Sequence, residues 1–396
     1  MSMEILTPKI RGFICTNSHS EGCAVNVKKQ YEYAESQGAK LDKPLKALII
    51  GASTGYGLSS RIALAGGYGA DTLGVFYERQ PDGAKTGTAG FYNSAAFHKI
   101  AKEKGLWAKS INGDAFSNEI KSQAIEMIKA EMGKIDYVIY SLASPRRIHP
   151  TTGVIHSSVL KPVGEPYSSK SIELNSEKVI DVTIQPATEE EVSNTVTVMG
   201  GDDWRLWLEC LLEAGVLNEG VRTLAYSYIG PEVTWPIYRY GTIGKAKEDL
   251  EDVAQYLENK LMQNLGGHAW VSVNKAVVTQ ASAAIPVVPL YLSILIKVMK
   301  EKNIHEGCIE QIVRLFKTQL INNKPQLDES RRIRMDDWEM REEIQKAIAD
   351  TWIQINTDNL RDLSAYDEYK KEFRNLFGFE VEGVDYSQPV EINVSL

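Results

Sequence analysis

Leu45-Lys-Ala-Leu-Ile-Ile-Gly51-Ala-Ser-Thr-Gly55-Tyr-Gly57-Leu-Ser-Ser-Arg-Ile-Ala-Leu-Ala65 passes from an apolar run, through three glycines, into a helix-compatible segment. The run Leu45 to Ile50 lacks polar/apolar alternation, as expected of a strand buried on both faces of a parallel sheet. Glycines at 51, 55 and 57 permit a tight turn, and the free N–H groups of a helix starting there can receive a pyrophosphate. An ordinary glycine-rich strand-to-helix turn has the same spacing. The strand before it and the helix after it favour nucleotide binding.

Outward from this unit the pattern repeats. Thr72-Leu-Gly-Val-Phe-Tyr77 reads as a second strand closed by Glu78, Ala95 to Lys104 as a helix, and Trp107 to Ile111 as extended. Glu119 to Met132 reads as an amphipathic helix and Ile135-Asp-Tyr-Val-Ile-Tyr140 as a further strand. Strands alternating with helices predict an α/β, Rossmann-like doubly wound parallel sheet. From Pro145 to about Gly220 the pattern changes: Ser171 to Ile184 reads as a β-hairpin turning near Asn175-Ser176, and Thr188 as the N-cap of a helix. The strand–helix pattern returns at Thr223 to Tyr228, a helix near Lys245 to Leu261, and Ala269 to Val273. The part from Ile304 onward reads as mostly helical with a polar tail, and its periodicity does not place it on the sheet. The expectation is one elaborated domain over 1–396, with an N-terminal extension, a Rossmann-like core over 45–147 and 221–320, a substrate-side insertion over 148–220, and a helical C-terminal extension over 321–396.

Composition excludes several classes. Lys plus Arg number 44 against 52 Asp plus Glu, a net charge of -8 that argues against a general nucleic-acid surface. Arg146-Arg147 and Lys297 to Lys302 remain as local basic spots for a phosphorylated substrate. Cys15, Cys23, Cys210 and Cys308 form no C-x-x-C pair and the histidines are scattered, so reduced thiols and no metal site are expected. Met1 to Lys9 lacks a basic stretch followed by an apolar one, so no secretory signal is read there. Ala281 to Ile296 is apolar but short for a bilayer span and interrupted by Pro286 and Pro289; a buried helix or the wall of an acyl-chain pocket is the expectation.

Glu78 ends the second strand, where a carboxylate can accept hydrogen bonds from both ribose hydroxyls and repel a 2′-phosphate, favouring NADH; Arg79 next to it could offset that repulsion. Asp114-Ala115 and Leu142-Ala143 follow later strands, where adenine and nicotinamide-ribose contacts fall. Tyr238 and Lys247 have eight residues between them. A free tyrosine titrates near 10, and a nearby ammonium both favours its phenolate and can hold a cofactor ribose. On one continuous helix this separation puts the two on opposite faces, and Gly241 and Gly244 argue against such a helix. Tyr238 is therefore predicted before or at the helix start, Lys247 within the first turns. Tyr226, Tyr228 and Tyr240 compete with Tyr238, and Lys245 with Lys247; residue chemistry alone leaves the choice open. A half-buried packing role is the ordinary one for any of these tyrosines.

Several strings in one order go further: Arg11-Gly-Phe-Ile-Cys15, Gly51 to Gly57, Asn112-Gly-Asp-Ala-Phe-Ser117, Tyr140-Ser-Leu-Ala-Ser-Pro-Arg-Arg147, Val198-Met-Gly-Gly-Asp-Asp-Trp204, Thr242-Ile-Gly-Lys-Ala-Lys247 and His305-Glu-Gly-Cys-Ile-Glu-Gln311. Through them essentially the whole chain resembles the trans-2-enoyl thioester reductases, which comprise the V-type bacterial enoyl-ACP reductases and the trans-2-enoyl-CoA reductases, an enlarged branch of the short-chain dehydrogenase/reductase fold. The resemblance implies NADH-dependent reduction of the trans-2 double bond of enoyl-CoA or enoyl-ACP in fatty acid synthesis. It implies Tyr238 as proton donor, Lys247 as ribose-binding lysine and Tyr228 as a contact to the substrate thioester. Cofactor contacts are implied at Gly51, Ala52, Ser53, Thr54, Gly55, Tyr56, Tyr77, Glu78, Asp114, Ala115, Leu142, Ala143, Lys247, Val277, Val278 and Thr279. Some members carry a second lysine after the signature lysine; this chain has Glu248. A monomeric cytoplasmic enzyme without a transmembrane segment or metal is the expectation, with acyl carrier protein a possible partner. The rivals are a carbonyl reductase using the same Tyr/Lys pair on a 3-oxo or ketone substrate, and a nucleotide-sensing protein with a vestigial site.

Overall fold

The computed structural model describes residues 3–39, 41–321 and 324–396. Seven strands form one sheet: β1 (Lys46–Ile50), β2 (Asp71–Phe76), β3 (Ala108–Asn112), β4 (Ile135–Tyr140), β5 (Leu217–Ser227), β6 (His268–Val273) and β7 (Ile333–Arg334). All neighbours pair in parallel, in the order 7-6-5-4-1-2-3. After β3 the chain crosses back to lay β4 on the far side of β1, so the sheet's winding reverses between β1 and β4. Ile50 lies opposite Tyr140, which brings the carboxyl ends of these two strands level at that reversal.

The apolar runs read as strands because both sheet faces are covered. Ala47 and Ile49 of β1, with Tyr137 and Ile139 of β4, pack into one cluster; Leu48, Ile50, Val138 and Tyr140 pack into another. That is the two-residue period of a pleated strand with a helical layer on each side. The first layer comprises α1 (Ser20–Gln37), α2 (Gly55–Tyr68) and α10 (Cys308–Leu315). The second comprises α4 (Asn118–Met127), α6 (Asp202–Glu213) and α7 (Thr242–Leu265). Trp204 and Trp207 of α6 are wholly buried; each buried large apolar side chain contributes roughly 1.5–3 kcal/mol.

Helix α3 (Ala89–Glu103) begins earlier than its sequence pattern, with Gly90 in the first turn masking the start. The segment read as one helix to Met132 is α4 followed by a π-turn over Ile128–Met132, closed by Gly133 at φ 79°. The hairpin is present as Tyr167–Glu173 paired with Lys178–Ile184, and Thr188 caps α5 (Glu189–Met199) in a reciprocal box with Glu191.

A third apolar cluster holds α8 (Gln280–Ala283), α9 (Val288–Glu301), α11 (Glu342–Gln354), α12 (Leu360–Leu363) and α13 (Tyr366–Asn375). The apolar stretch ending at Ile296 is mostly α9, buried against α11 and α13. Among the described residues no helix is long and apolar enough to cross a membrane. Several short pairings escaped the sequence patterns, among them Ile10–Arg11 with Ile14–Cys15, Arg146–Ile148 with Ile155–Ser157, and two that join distant segments. Ile333–Arg334 form the sheet edge beside Ser272 and Val273, and Met3–Glu4 pair antiparallel with Val390–Glu391. Strands this short do not let periodicity register.

Candidate active site

The candidate residues gather at the carboxyl ends of β1 to β6, where open parallel sheets hold their ligands. At the β1/β4 reversal the glycines have distinct tasks. Gly51 has φ 88°, and a Cβ on it would stand 2.0 Å from the Ser141 carbonyl oxygen, while a Cβ on Gly57 would stand 1.9 Å from the Gly51 oxygen. The turn therefore closes flush against β4. Thr54 is the N-cap of α2 but makes no side-chain cap bond, which leaves first-turn N–H groups free for a pyrophosphate. The residues present thus fit a dinucleotide. Gly57→Ala is expected to lower stability by about 1–3 kcal/mol and NADH affinity about tenfold, read by thermal unfolding and NADH fluorescence titration; unchanged values of both would contradict the tight-turn role.

Beyond β2, Glu78 accepts a 2.6 Å hydrogen bond from the Ser53 hydroxyl, and its backbone exchanges two 2.8 Å bonds with the Asn112 side chain. The carboxylate is thereby fixed next to the glycine loop. Tyr77 stands 81% exposed beside it. After β3, the Asp114 carboxylate accepts from the Phe116 N–H, and the Ala115 carbonyl accepts from Lys121 and the Trp207 indole. Leu142 lies against Gly51, and Ala143 is exposed. After β6, Val277 and Val278 are buried and Thr279 caps α8. Tyr56 commits its hydroxyl to the Lys275 carbonyl and Gln311; only its backbone is left for a phosphate.

Tyr238 lies in the turn before α7, and Lys247 is the helix's sixth residue. Glycines make this approach possible: a Cβ on Gly244 would stand 1.9 Å from the Arg239 oxygen, and one on Gly241 2.4 Å from the Ile237 oxygen. The chain folds back on the first turn of α7. The Lys247 ammonium donates to the Tyr226 carbonyl at 3.0 Å, and the Tyr238 ring meets Tyr228 edge-on at 4.9 Å, so both converge on the end of β5. Burial pushes Lys247 down to about 8, against a smaller upward pull from Glu251. Burial pushes the Tyr238 hydroxyl up, so in the free protein it is a neutral donor.

The competing residues are separated by their partners. The Tyr226 hydroxyl is bound to Ser60 at 2.6 Å, Tyr240 is 54% exposed, and Lys245 pairs with Glu248 at the surface. The Tyr228 hydroxyl oxygen lies 2.9 Å from Glu339 Oε1, within hydrogen-bond distance. Among the described residues the Tyr238 hydroxyl alone of the four tyrosines has a buried ring and no hydrogen-bond partner.

Sequence reasoning missed Glu339. It is fully buried; its Oε1 lies 2.9 Å from the Tyr228 hydroxyl and accepts from Tyr291 at 2.5 Å, and its Oε2 accepts the Ala276 N–H at 2.7 Å. Its burial raises its pKa, with the Tyr291 hydrogen bond and the buried Lys275 acting against that. Met335-Asp-Asp-Trp-Glu-Met340 reads as an ordinary acidic surface stretch and carries no signal of this. Among the described residues no group of three or more His, Cys, Asp or Glu is placed to hold a metal ion.

Three family models match the chain: "NAD(P)H binding domain of trans-2-enoyl-CoA reductase" over residues 5–83, "Trans-2-enoyl-CoA reductase catalytic region" over 85–321, and "Enoyl reductase FAD binding domain" over 327–390. In this chain the last segment commits its aromatic and aliphatic side chains (Ile344, Ile348, Tyr366, Tyr369, Phe373) to the core, an arrangement unsuited to a flavin ring. An NADH-dependent trans-2-enoyl-CoA reductase of Ruminiclostridium cellulolyticum is 55% identical over 392 residues, 99% of each chain. An NADH-dependent enoyl-acyl-carrier-protein reductase, FabV, of Aeromonas salmonicida is 55% identical over 98% of each. The crystal structure of Clostridium acetobutulicum trans-2-enoyl-CoA reductase in complex with NADH superposes with TM-score 0.95 at 46% identity, covering 98% of both chains.

Proposed function

Because this chain belongs to the trans-2-enoyl-CoA reductase family, we propose that its reaction, the NADH-dependent reduction of the trans-2 double bond of enoyl thioesters, runs through Tyr238, Tyr228 and Lys247. The observation that carries the assignment is the uncommitted Tyr238 hydroxyl on a buried ring, edge-on to Tyr228 and sharing the end of β5 with Lys247. In this reading the glycine loop and the start of α2 hold the pyrophosphate. Glu78 takes the adenosine ribose, Asp114-Ala115 the adenine, and Leu142-Ala143, Lys247 and Val277 to Thr279 the nicotinamide ribose side. When bound, NADH supplies the hydride that Cβ takes up. Negative charge then gathers on the thioester oxygen, and Tyr238, with Tyr228 as second donor, stabilises it by hydrogen bonding in a site shielded from water. Tyr238 is the proton donor of the pair: its proton neutralises the enolate, and the new C–H bond at Cα completes the saturated thioester. Ala283, Ile285 and Val288 share the Tyr238 cluster and line the acyl channel.

Relatives bearing both CoA and ACP names support either thioester carrier, with acyl carrier protein as a partner in the second case. Four unpaired cysteines suit the cytoplasm.

Steady-state kinetics with crotonyl-CoA and acetoacetyl-CoA, each with NADH and NADPH, test the reading. Crotonyl-CoA is expected to drive NADH oxidation. NADPH is expected to be at least about tenfold poorer, because Glu78 repels a 2′-phosphate. Turnover of acetoacetyl-CoA alone would identify a carbonyl reductase instead.

A further inference from the structure

The network behind Tyr228 poses a directional question. Glu339 Oε1 lies 2.9 Å from the Tyr228 hydroxyl and 2.5 Å from that of Tyr291. If Oε1 is an anion, both phenols spend their single proton on it, and Tyr228 has none left for a substrate oxygen. The second carboxyl oxygen settles where a proton would sit: Oε2 accepts the Ala276 N–H at 2.7 Å, so the acid's hydrogen belongs on Oε1, facing the two phenols. Gln345 donates to the Tyr291 oxygen at 3.4 Å and to the Glu339 carbonyl at 2.7 Å, which orients Tyr291 as a donor towards Oε1. With the acid's hydrogen turned to the Tyr228 oxygen, every donor points the same way: Gln345 to Tyr291, Tyr291 to Glu339, Glu339 to Tyr228.

The geometry therefore points to Glu339 as a positioning residue that, as a neutral acid, donates to the Tyr228 oxygen and turns the Tyr228 hydroxyl onto the substrate's thioester oxygen. This rests on the enoyl thioester reading given above. A chain of aligned donors also polarises its last member, making Tyr228 a stronger donor than an isolated phenol. The surroundings favour the neutral form: Glu339 is fully buried, Asp336 disfavours its charge, and Lys275, the opposing cation, spends its ammonium on the Ala276 and Glu306 carbonyls. The Tyr228 ring has little freedom to turn elsewhere. It is held edge-on by Tyr238, and a Cβ on Gly230 would stand 2.7 Å from it.

The test is crotonyl-CoA kinetics and NADH titration on the full-length wild type, Glu339→Gln, Glu339→Leu, Tyr228→Phe and Glu339→Leu/Tyr228→Phe. Glutamine keeps an N–H donor towards Tyr228 and a carbonyl towards Ala276; leucine keeps neither. Expected are a kcat about tenfold lower in Glu339→Leu, the worth of one buried hydrogen bond, with NADH affinity unchanged, recovery of most of that loss in Glu339→Gln, and no further loss when leucine is placed in the Tyr228→Phe background. The same loss in both backgrounds overturns the proposal, because Glu339 would not be acting through Tyr228. Should the leucine variant not fold, glutamine decides: normal NADH binding with kcat as low as that of Tyr228→Phe means the carboxylate itself is needed, and the proposal fails. A wild type inert towards crotonyl-CoA overturns the functional reading together with this one; an active wild type with either adverse result overturns this one alone.

Discussion

Tyr238→Phe is expected to bind NADH as the wild type does and to reduce crotonyl-CoA about 100- to 1,000-fold more slowly, the cost of removing one donor to a developing oxyanion. The substitution is clean because the hydroxyl has no partner within the described protein, so its loss orphans nothing. The ring keeps its burial and its edge-on contact with Tyr228. Stability should therefore change by less than about 1 kcal/mol. Burial holds the hydroxyl above its ordinary pKa, so it works as a neutral donor and needs a developing anion to draw its proton. The effect belongs in kcat, with the NADH affinity unmoved. Near-wild-type turnover in a well-folded variant would remove Tyr238 from the mechanism.

Lys247→Met is expected to produce an enzyme that is inactive and yet more stable at neutral pH. The folded-state pKa is about 8 against an ordinary 10.5. Between those values the unfolded chain holds a proton that the folded chain has released, so this group makes stability rise with pH across that window. Below pH 8 the half-buried ammonium costs the folded protein at most about 3 kcal/mol. Methionine fills the site of the stem without charge, at the loss of the hydrogen bond to the Tyr226 carbonyl, worth about 1 kcal/mol. Urea unfolding without cofactor should show the variant more stable by up to about 2 kcal/mol at pH 7, with the advantage shrinking towards pH 10. Its kcat/KM for NADH should fall about 100-fold or more. A variant less stable than the wild type at pH 7 would show that the ammonium is not a burden in the fold. A destabilising group retained at a site is what a trade of stability for activity looks like.

Most of the sheet was legible because its strands are buried on both faces and follow one another with helices between. Leu45 to Ile50 and Ile135 to Tyr140 needed nothing beyond their apolar runs and the glycines at 51, 55 and 57. The approach of Tyr238 to α7 was legible too, because Gly241 and Gly244 argue against one continuous helix through both residues; the absence of a Cβ on each leaves room for the Ile237 and Arg239 carbonyls. What escaped was short or distant. Ile333–Arg334 pair over two residues, too few for any period. Glu339 reaches Tyr228 across 111 positions, and nothing in an acidic hexapeptide announces that one of its carboxyls is buried. How strongly Lys247 acts on Tyr238 depends on a distance that a sequence does not contain. In the free protein the lysine is occupied by the Tyr226 carbonyl, and burial governs both groups.

The pairing of Met3–Glu4 with Val390–Glu391 has a consequence for how the protein is made. At roughly 5–20 residues per second, a ribosome takes roughly 20–80 s to travel from the first of these strands to the second. Throughout that time the leading strand has no partner. Strands β1 to β4 can assemble early, whereas the sheet's outer edge at Ile333–Arg334 and the carboxyl behind Tyr228 arrive only much later. A chain halted before residue 339 carries both tyrosines without the acid that directs one of them. Full competence for reduction is therefore acquired well after the nucleotide-binding half has emerged.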